Sequence, residues 1–195
     1  IASPPRKTIF LANTAATKRW SFLMSNLNGR VALITGASRG IGLATVHELS
    51  SLGAQVVLAA RSEAPIQDIT DQISENGGRA VAVQCDVASF EQVQAAVSST
   101  IARFDRLDIL VNNAGTIEPI ARIDESEPDL WSKAIDVNLK GVYHGLRAAL
   151  PVMTARGGGV IVNLSSGAAT SALEGWSHYC ASKAAVKMLT ACAHK

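Results

Sequence analysis

Val31-Ala32-Leu33-Ile34-Thr35-Gly36-Ala37-Ser38-Arg39-Gly40-Ile41-Gly42 sets the architecture of this chain. Val31 to Thr35, apolar except for the threonine, reads as a short buried strand. Gly36 ends that run, and Gly40 and Gly42 open a helical stretch. Strand, glycine turn and helix in that order bring backbone N–H groups and a helix N-terminus to one point. A phosphate group can approach there if no Cβ stands in the way. The spacing is Gly-x3-Gly-x-Gly, which differs from the Gly-x-Gly-x-x-Gly of the commonest dinucleotide fingerprint. The glycines alone would suit any tight turn. Their setting makes Gly36, Ser38, Arg39, Gly40, Ile41 and Gly42 a candidate phosphate cradle.

The alternation continues downstream. Further strands are expected at Gln55–Ala60, Ala80–Gln84, Asp108–Asn112 and Gly159–Leu164, and helices near 40–52, 65–76, 89–104, 130–155 and 178–195. The strands are continuous apolar runs, as expected where both faces of a sheet are covered. In the third helix Phe90, Val93, Val97, Ile101 and Phe104 recur at three- and four-residue steps, and in the fourth Ile135, Leu139, Val142, Leu146, Leu150 and Met153 do so. Ser89 is placed to cap the third helix, and Pro151 is expected to interrupt and bend the fourth. Short strands alternating with helices predict an α/β protein: a doubly wound parallel sheet with helices on both faces and a ligand crevice at the carboxyl ends of the strands.

Composition agrees. At 195 residues, 48% apolar and 17% charged, the chain suits one globular domain. No apolar run approaches the roughly 18 residues needed to cross a bilayer. Cys85, Cys180 and Cys192 have no metal-ligand spacing, nor have His47, His144, His178 and His194, so no metal is expected. An odd cysteine count on an α/β pattern points to reduced thiols and a cytoplasmic setting. Four of the 18 basic residues and none of the 16 acidic ones precede Met24, so the net charge of +2 hides a mildly acidic body. Nothing forms a basic face for nucleic acid. Residues 1–28 are read as an N-terminal extension and 29–195 as the domain. The extension's basic, acid-free composition over residues 1–23 suits an organelle transit peptide or upstream sequence before Met24, and the former would make the protein organellar.

Two features bear on chemistry. Nicotinamide-dinucleotide sheets that take NAD present a carboxylate roughly 20 residues beyond the glycine turn. Here the second strand ends Ala59-Ala60-Arg61-Ser62, with no acid at the tip. Arg61 and Arg39 suit a 2′-phosphate through charge-assisted forked hydrogen bonds, which favours NADP(H) over NAD(H), unless both are simply solvated. Tyr179 and Lys183 stand four residues apart on an expected helix and so share a face. Hydride delivery to a carbonyl leaves an oxygen in need of a proton, and a tyrosine beside an ammonium can supply it. Ser166, at the carboxyl end of the last strand, offers a hydroxyl to the same oxygen. Ser165 competes for that role, and either hydroxyl also suits a turn.

Taken together, Thr35 to Gly42, Asp86-Val87, Asn112 to Gly115, Asn138, Ser166, Tyr179 and Lys183 make residues 29–195 resemble the short-chain dehydrogenase/reductase family. The resemblance implies a Rossmann-like subunit, a homodimer or homotetramer at full length, and oxidation of alcohols or reduction of carbonyls with a nicotinamide cofactor. It implies that Tyr179 is the acid–base, that Lys183 lowers its pKa, that both also contact the cofactor, and that Ser166, thirteen residues before the tyrosine, holds the substrate oxygen. It further implies that Asn138 holds a water linking Lys183 to solvent. Asp86 with Val87 is expected at the adenine edge, and Asn112, Ala114 and Gly115 along the cofactor's ribose side.

The run Gly175-Trp176-Ser177-His178-Tyr179-Cys180, with Glu118-Pro119-Ile120, is similar to the sepiapterin and benzil reductase branch, implying a dicarbonyl or bulky ketone. The turn Thr35 to Gly42 is equally similar to that of 3-oxoacyl-thioester reductases. The family pattern continues past Lys195 with further strands and a substrate-closing loop. The chain is therefore expected to be a fragment of a longer enzyme, with Gly159–Leu164 as an exposed sheet edge. A non-catalytic nucleotide-binding or interaction protein is the alternative.

Overall fold

The computed structural model describes residues 26–194. The readings of residues 1–23 lie outside these.

Strand β1 (Val31–Thr35) is buried along its whole length. It is the centre of a five-stranded parallel sheet with β2 (Gln55–Ala60), β3 (Ala80–Gln84), β4 (Ile109–Asn112) and β5 (Val160–Asn163), in the order β3-β2-β1-β4-β5. Four α-helices and one bipartite helical segment accompany the strands among the described residues. They are α1 (Gly40–Ser51), α2 (Glu63–Glu75), α3 (Phe90–Phe104), α4 (Pro128–Ile135) leading through a π-helical turn (Asp136–Lys140) into α5 (Gly141–Ala155), and α6 (Ser177–His194).

Strand pleating explains the two cores. Val31 and Leu33 face α3, α5 and α6 in a cluster with Val97, Leu146 and Val186. Ala32 and Ile34 face the opposite way, packing with Val46 of α1 and Ile66 and Ile73 of α2. Successive residues of one strand thus enter different layers, which is why its sequence is apolar without alternation. The expected doubly wound α/β architecture with helices on both faces is what the chain adopts.

Asp108 lies just before β4 rather than within it, and staples the strand starts. Its carboxylate accepts from the Val31 N–H at 2.9 Å, from Arg30 at 2.9 Å, and from Arg106 at 2.7 Å. Burial alone would raise its pKa, but these donors together hold it below the usual carboxylate range. All three cysteines are free thiols, and burial, then the charge of Asp86, pushes the Cys85 thiol up to about 11.

The long helix differs from expectation. Its regular bonding changes at Asp136–Lys140, and the helix runs past Pro151 to Ala155. Pro151 and Arg147 both lie on the exposed face, so the carbonyl that proline leaves without a donor meets water. Pro128, in the first turn of α4, explains the earlier start of this segment. Ser89 caps α3 as expected, accepting from the Gln92 N–H. Among the described residues β3 and β5 are the two sheet edges, and β5 is flanked by a groove lined by Leu146, Met153, Ile161 and Thr190.

Gly145 is a point of tight packing between α5 and β4. A Cβ there would run into the amide of Asn112, which is buried and fixed by donating to Asn163 Oδ1 at 2.8 Å. Gly145→Ala is expected to cost about 1–3 kcal/mol. A fall of the urea midpoint without a change of slope would show this, and an unchanged midpoint would refute it.

Candidate active site

After β1 the chain winds towards β2 and β3, then crosses to β4 and β5 on the other side. The carboxyl ends of β1 and β4 therefore part at a crevice, where open α/β sheets take ligands. Thr35 and Asn113 hold its two lips. Asn113 Nδ2 donates to Thr35 O at 2.8 Å and to Gly36 O at 3.0 Å. Thr35 Oγ1 accepts from the N–H groups of Asn113 at 3.1 Å and Ala114 at 3.2 Å.

The glycine turn depends on this junction. Gly36 has φ +65°, and a Cβ on it would sit 2.8 Å from Ala114 Cα. Gly42 lies so close under the Gly36 carbonyl that a Cβ could not be accommodated. Gly40, with φ +57°, faces open space instead. Arg39 is the residue before α1 and makes no side-chain cap, and the first turn of α1 holds no acidic residue. The first N–H groups of an α-helix lack intrahelical partners. Here no side chain caps them, in contrast to α3. Ser38 and Ile41 border this opening, Ile41 being 66% exposed. Shape and chemistry both fit a pyrophosphate.

Ala37 N–H donates to Ala59 O at 3.2 Å, which brings the turn beside the tip of β2. Arg39 and Arg61 are exposed at that end, and neither belongs to an ion pair found among the described residues. Asp86 follows β3, its Oδ1 accepting from the Ala88 N–H at 3.0 Å, and Val87 O meets His144 Nδ1 at 2.8 Å. Of the residues placed along the ribose side, Ala114 and Gly115 border the crevice. Asn112 turns the other way, towards Asn163 and α5.

The proton-handling residues gather at the end of β5. Lys183 is 5% exposed, and its Nζ donates to Leu164 O at 2.8 Å. Burial pushes its pKa down to about 8, so the ammonium persists at neutral pH. Nζ lies 5.5 Å from the centre of the Tyr179 ring, and that ring meets Trp176 in a T-shaped contact at 5.4 Å between centres. Ser166 precedes a single 3₁₀ turn (Gly167–Ala169), its hydroxyl accepting from the Ala168 N–H at 3.2 Å. Ser165 turns towards α6, its hydroxyl 3.4 Å from Lys183 O. The two serines thus separate, Ser165 engaging α6 and Ser166 the following turn.

Asn138 occupies the π-helical turn, fully buried. Its Oδ1 accepts from the Thr116 N–H and its Nδ2 donates to Thr116 O, both at 2.8 Å. An added Cβ on Gly115 would stand 3.1 Å from Asn138 Oδ1 and 4.0 Å from Lys183 Nζ, so the lips of the crevice and the lysine are neighbours. Asn113, Thr116 and His178 were not singled out by sequence reasoning. For Asn113 the available signal was strand alternation. Asn112 stands opposite Asn163 in the β4–β5 register, which leaves its neighbour to face the turn.

A folded-state pKa below the ordinary 10.5 means that unfolding takes up a proton at Lys183. The penalty of burying its charge is full below about pH 8 and is relieved as pH rises towards 10.5. Wild type is therefore expected to gain stability over that window relative to Lys183→Met. Parallel stability–pH curves for the two proteins would contradict the burial argument.

The sequence profile described as short chain dehydrogenase matches residues 30–195. A 3-oxoacyl-[acyl-carrier-protein] reductase of a Synechocystis species is 38% identical over 84% of this chain and 66% of its own length. A cyclohexanol dehydrogenase of an Acinetobacter species is 37% identical, over 86% of this chain and 67% of its own. A metagenomic short-chain oxidoreductase solved in complex with NADP superposes with a TM-score of 0.82 at 39% identity, covering 86% of this chain and 76% of that one. The chain thus spans about two thirds of the length of these curated relatives. By profile, sequence and fold together, it belongs to the short-chain dehydrogenase family.

Proposed function

We propose that this chain carries the cofactor site and the proton-transfer residues of an NADP(H)-dependent oxidoreductase that interconverts a carbonyl compound and its alcohol. The observation that carries this reading is the meeting of the buried Lys183 ammonium, the Tyr179 ring and the Gly115 lip of the crevice within a few ångströms. A lysine kept charged without a carboxylate partner, next to a tyrosine, is arranged for proton transfer rather than for stability.

Gly36, Ser38, Gly40, Ile41 and Gly42 would hold the pyrophosphate, Arg39 and Arg61 a 2′-phosphate, Asp86 and Val87 the adenine, and Ala114 and Gly115 the ribose side. When bound, the nicotinamide supplies or accepts the hydride. In reduction, Ser166 Oγ donates to the substrate oxygen and fixes its position, and Tyr179 Oη gives that oxygen its proton. Lys183 stabilises the tyrosinate left behind. Asn138 retains one amide N–H and one acceptor lone pair beyond its bonds to Thr116, capacity for a water beside Lys183 through which Tyr179 is reprotonated.

The absence of acid at the tip of β2 supports NADP(H), as do the NADP-bound neighbour described above and a gluconate 5-dehydrogenase of Burkholderia cenocepacia solved with NADP and tartrate. Ile117, Ile120 and Leu173 are each more than 40% exposed on segments beside Tyr179, which favours a dicarbonyl or bulky ketone with an apolar substituent. A 3-oxoacyl thioester is the second reading, favoured by the Synechocystis relative.

NADPH is expected to raise the thermal midpoint more than NADH, and Arg39→Ala with Arg61→Ala to remove the difference. A larger shift with NADH would overturn the cofactor assignment. Oxidation of NADPH with benzil, a cyclic ketone and a 3-oxoacyl thioester, followed by absorbance, tests the chemistry. Tyr179→Phe should lower turnover by about 10²–10⁴ while cofactor binding stays within a few-fold. Undiminished turnover in that variant would eliminate Tyr179 as the acid.

A further inference from the structure

His178 directly precedes Tyr179 and has no part in the proton transfer described above. It is among the most deeply buried side chains of the protein, 1% exposed. It shares the buried face of α6 with Ser182, Val186 and Thr190 at four-residue steps. Its Nε2 lies 3.1 Å from Ile117 O. A carbonyl only accepts, so Nε2 carries the proton and donates. Ile117 follows Thr116, whose N–H and C=O are both taken by Asn138. Two consecutive residues beyond β4 are therefore gripped from two elements, Thr116 by the π-helical turn and Ile117 by the helix that carries Tyr179.

Other contacts follow the same seam. Ala121 N–H donates to Gly175 O at 3.0 Å, Trp131 Nε1 to Ser177 Oγ at 3.0 Å, and Arg122 to Glu174 at 2.8 Å. The last is an exposed ion pair and contributes little. The His178 bond joins a side chain only 1% exposed to the segment beyond β4, and it sits next to the tyrosine.

We propose that His178 is a positioning residue: its bond to Ile117 O fixes the register between the segment beyond β4 and the helix that carries Tyr179. This rests on the reading of Tyr179 as the proton donor. Without that bond the Ile117 carbonyl loses its donor on α6, and the segment can shift against the helix. That segment begins at Gly115, the lip nearest Lys183. A shift of about 1 Å between groups that must meet a reacting atom costs on the order of a hundredfold in rate.

The test compares His178→Leu, which fills the space without a donor, with His178→Gln, whose Nε2 can replace that of histidine. Hydrogen exchange and steady-state kinetics are measured on the NADPH-loaded protein. In the leucine variant, amides of residues 114–122 are expected to exchange at least about tenfold faster while those of β1, β2 and β3 keep their rates. Turnover should fall about ten- to a hundredfold with KM for NADPH within about twofold, and the glutamine variant should restore both. Unchanged exchange over 114–122, equal acceleration across the sheet, or failure of glutamine to rescue would overturn the proposal. Wild type that oxidises no NADPH with any carbonyl would instead defeat the functional reading, and the exchange data alone would then decide whether His178 holds the segment.

Discussion

Thr35 and Asn113 make the joint on which everything else at the crevice depends. Parallel strands that part at a switch point leave their ends without the next ladder bond, and each end would otherwise drift with its own loop. Here one amide group spans the gap, donating to Thr35 O and Gly36 O, while the threonine hydroxyl gathers the N–H groups of Asn113 and Ala114. The spacing between the lips is thereby set by four hydrogen bonds instead of by loop stiffness. Gly36 and Gly42 are glycines because the joint is drawn so tight that side chains have no room.

From that joint the site divides into two parts with different physics. On the β1 side, binding relies on what is left out: Cβ atoms, a helix cap and an acid at the tip of β2. On the β5 side, chemistry relies on what is put in. Lys183 is buried with no ion-pair partner found among the described residues, held by one carbonyl and placed near an aromatic ring. Its lowered pKa reflects the cost of burying a charge, since an apolar residue of the same volume would be more stable there. The segment from Asn113 to Ile117 connects the two parts. It is gripped successively by β1, by the π-helical turn and by α6.

All five strands were legible to within a residue at either end, because parallel strands covered on both faces leave an unmistakable apolar run. The placement of the glycine turn, and of Tyr179 beside Lys183, was legible because local geometry sets it, whereas the choice of Ser166 over Ser165 rests on the family resemblance. What escaped were relations between distant segments. Alternation along β4 sets Asn112 and Asn113 on opposite sides, but which side meets Thr35 is decided by the neighbouring strands. The break in the long helix was sought at Pro151 and lies at Asp136–Lys140, where an extra residue in the turn aims Asn138 at Thr116. A proline is visible in a sequence, whereas the demand of a neighbouring loop is not. His178 could have been suspected from its buried companions at 182, 186 and 190.

The bare start of α1 has a consequence for how such a protein changes under selection. A capping side chain in place of Arg39 would contribute about 0.5–2 kcal/mol to the empty protein by occupying the N–H groups that now stand free. Breeding this chain for heat resistance without ligand would therefore reward the substitutions that close its cofactor seat. Variants recovered from such a screen would be sturdier and emptier at once, unless the nucleotide is present while they are chosen.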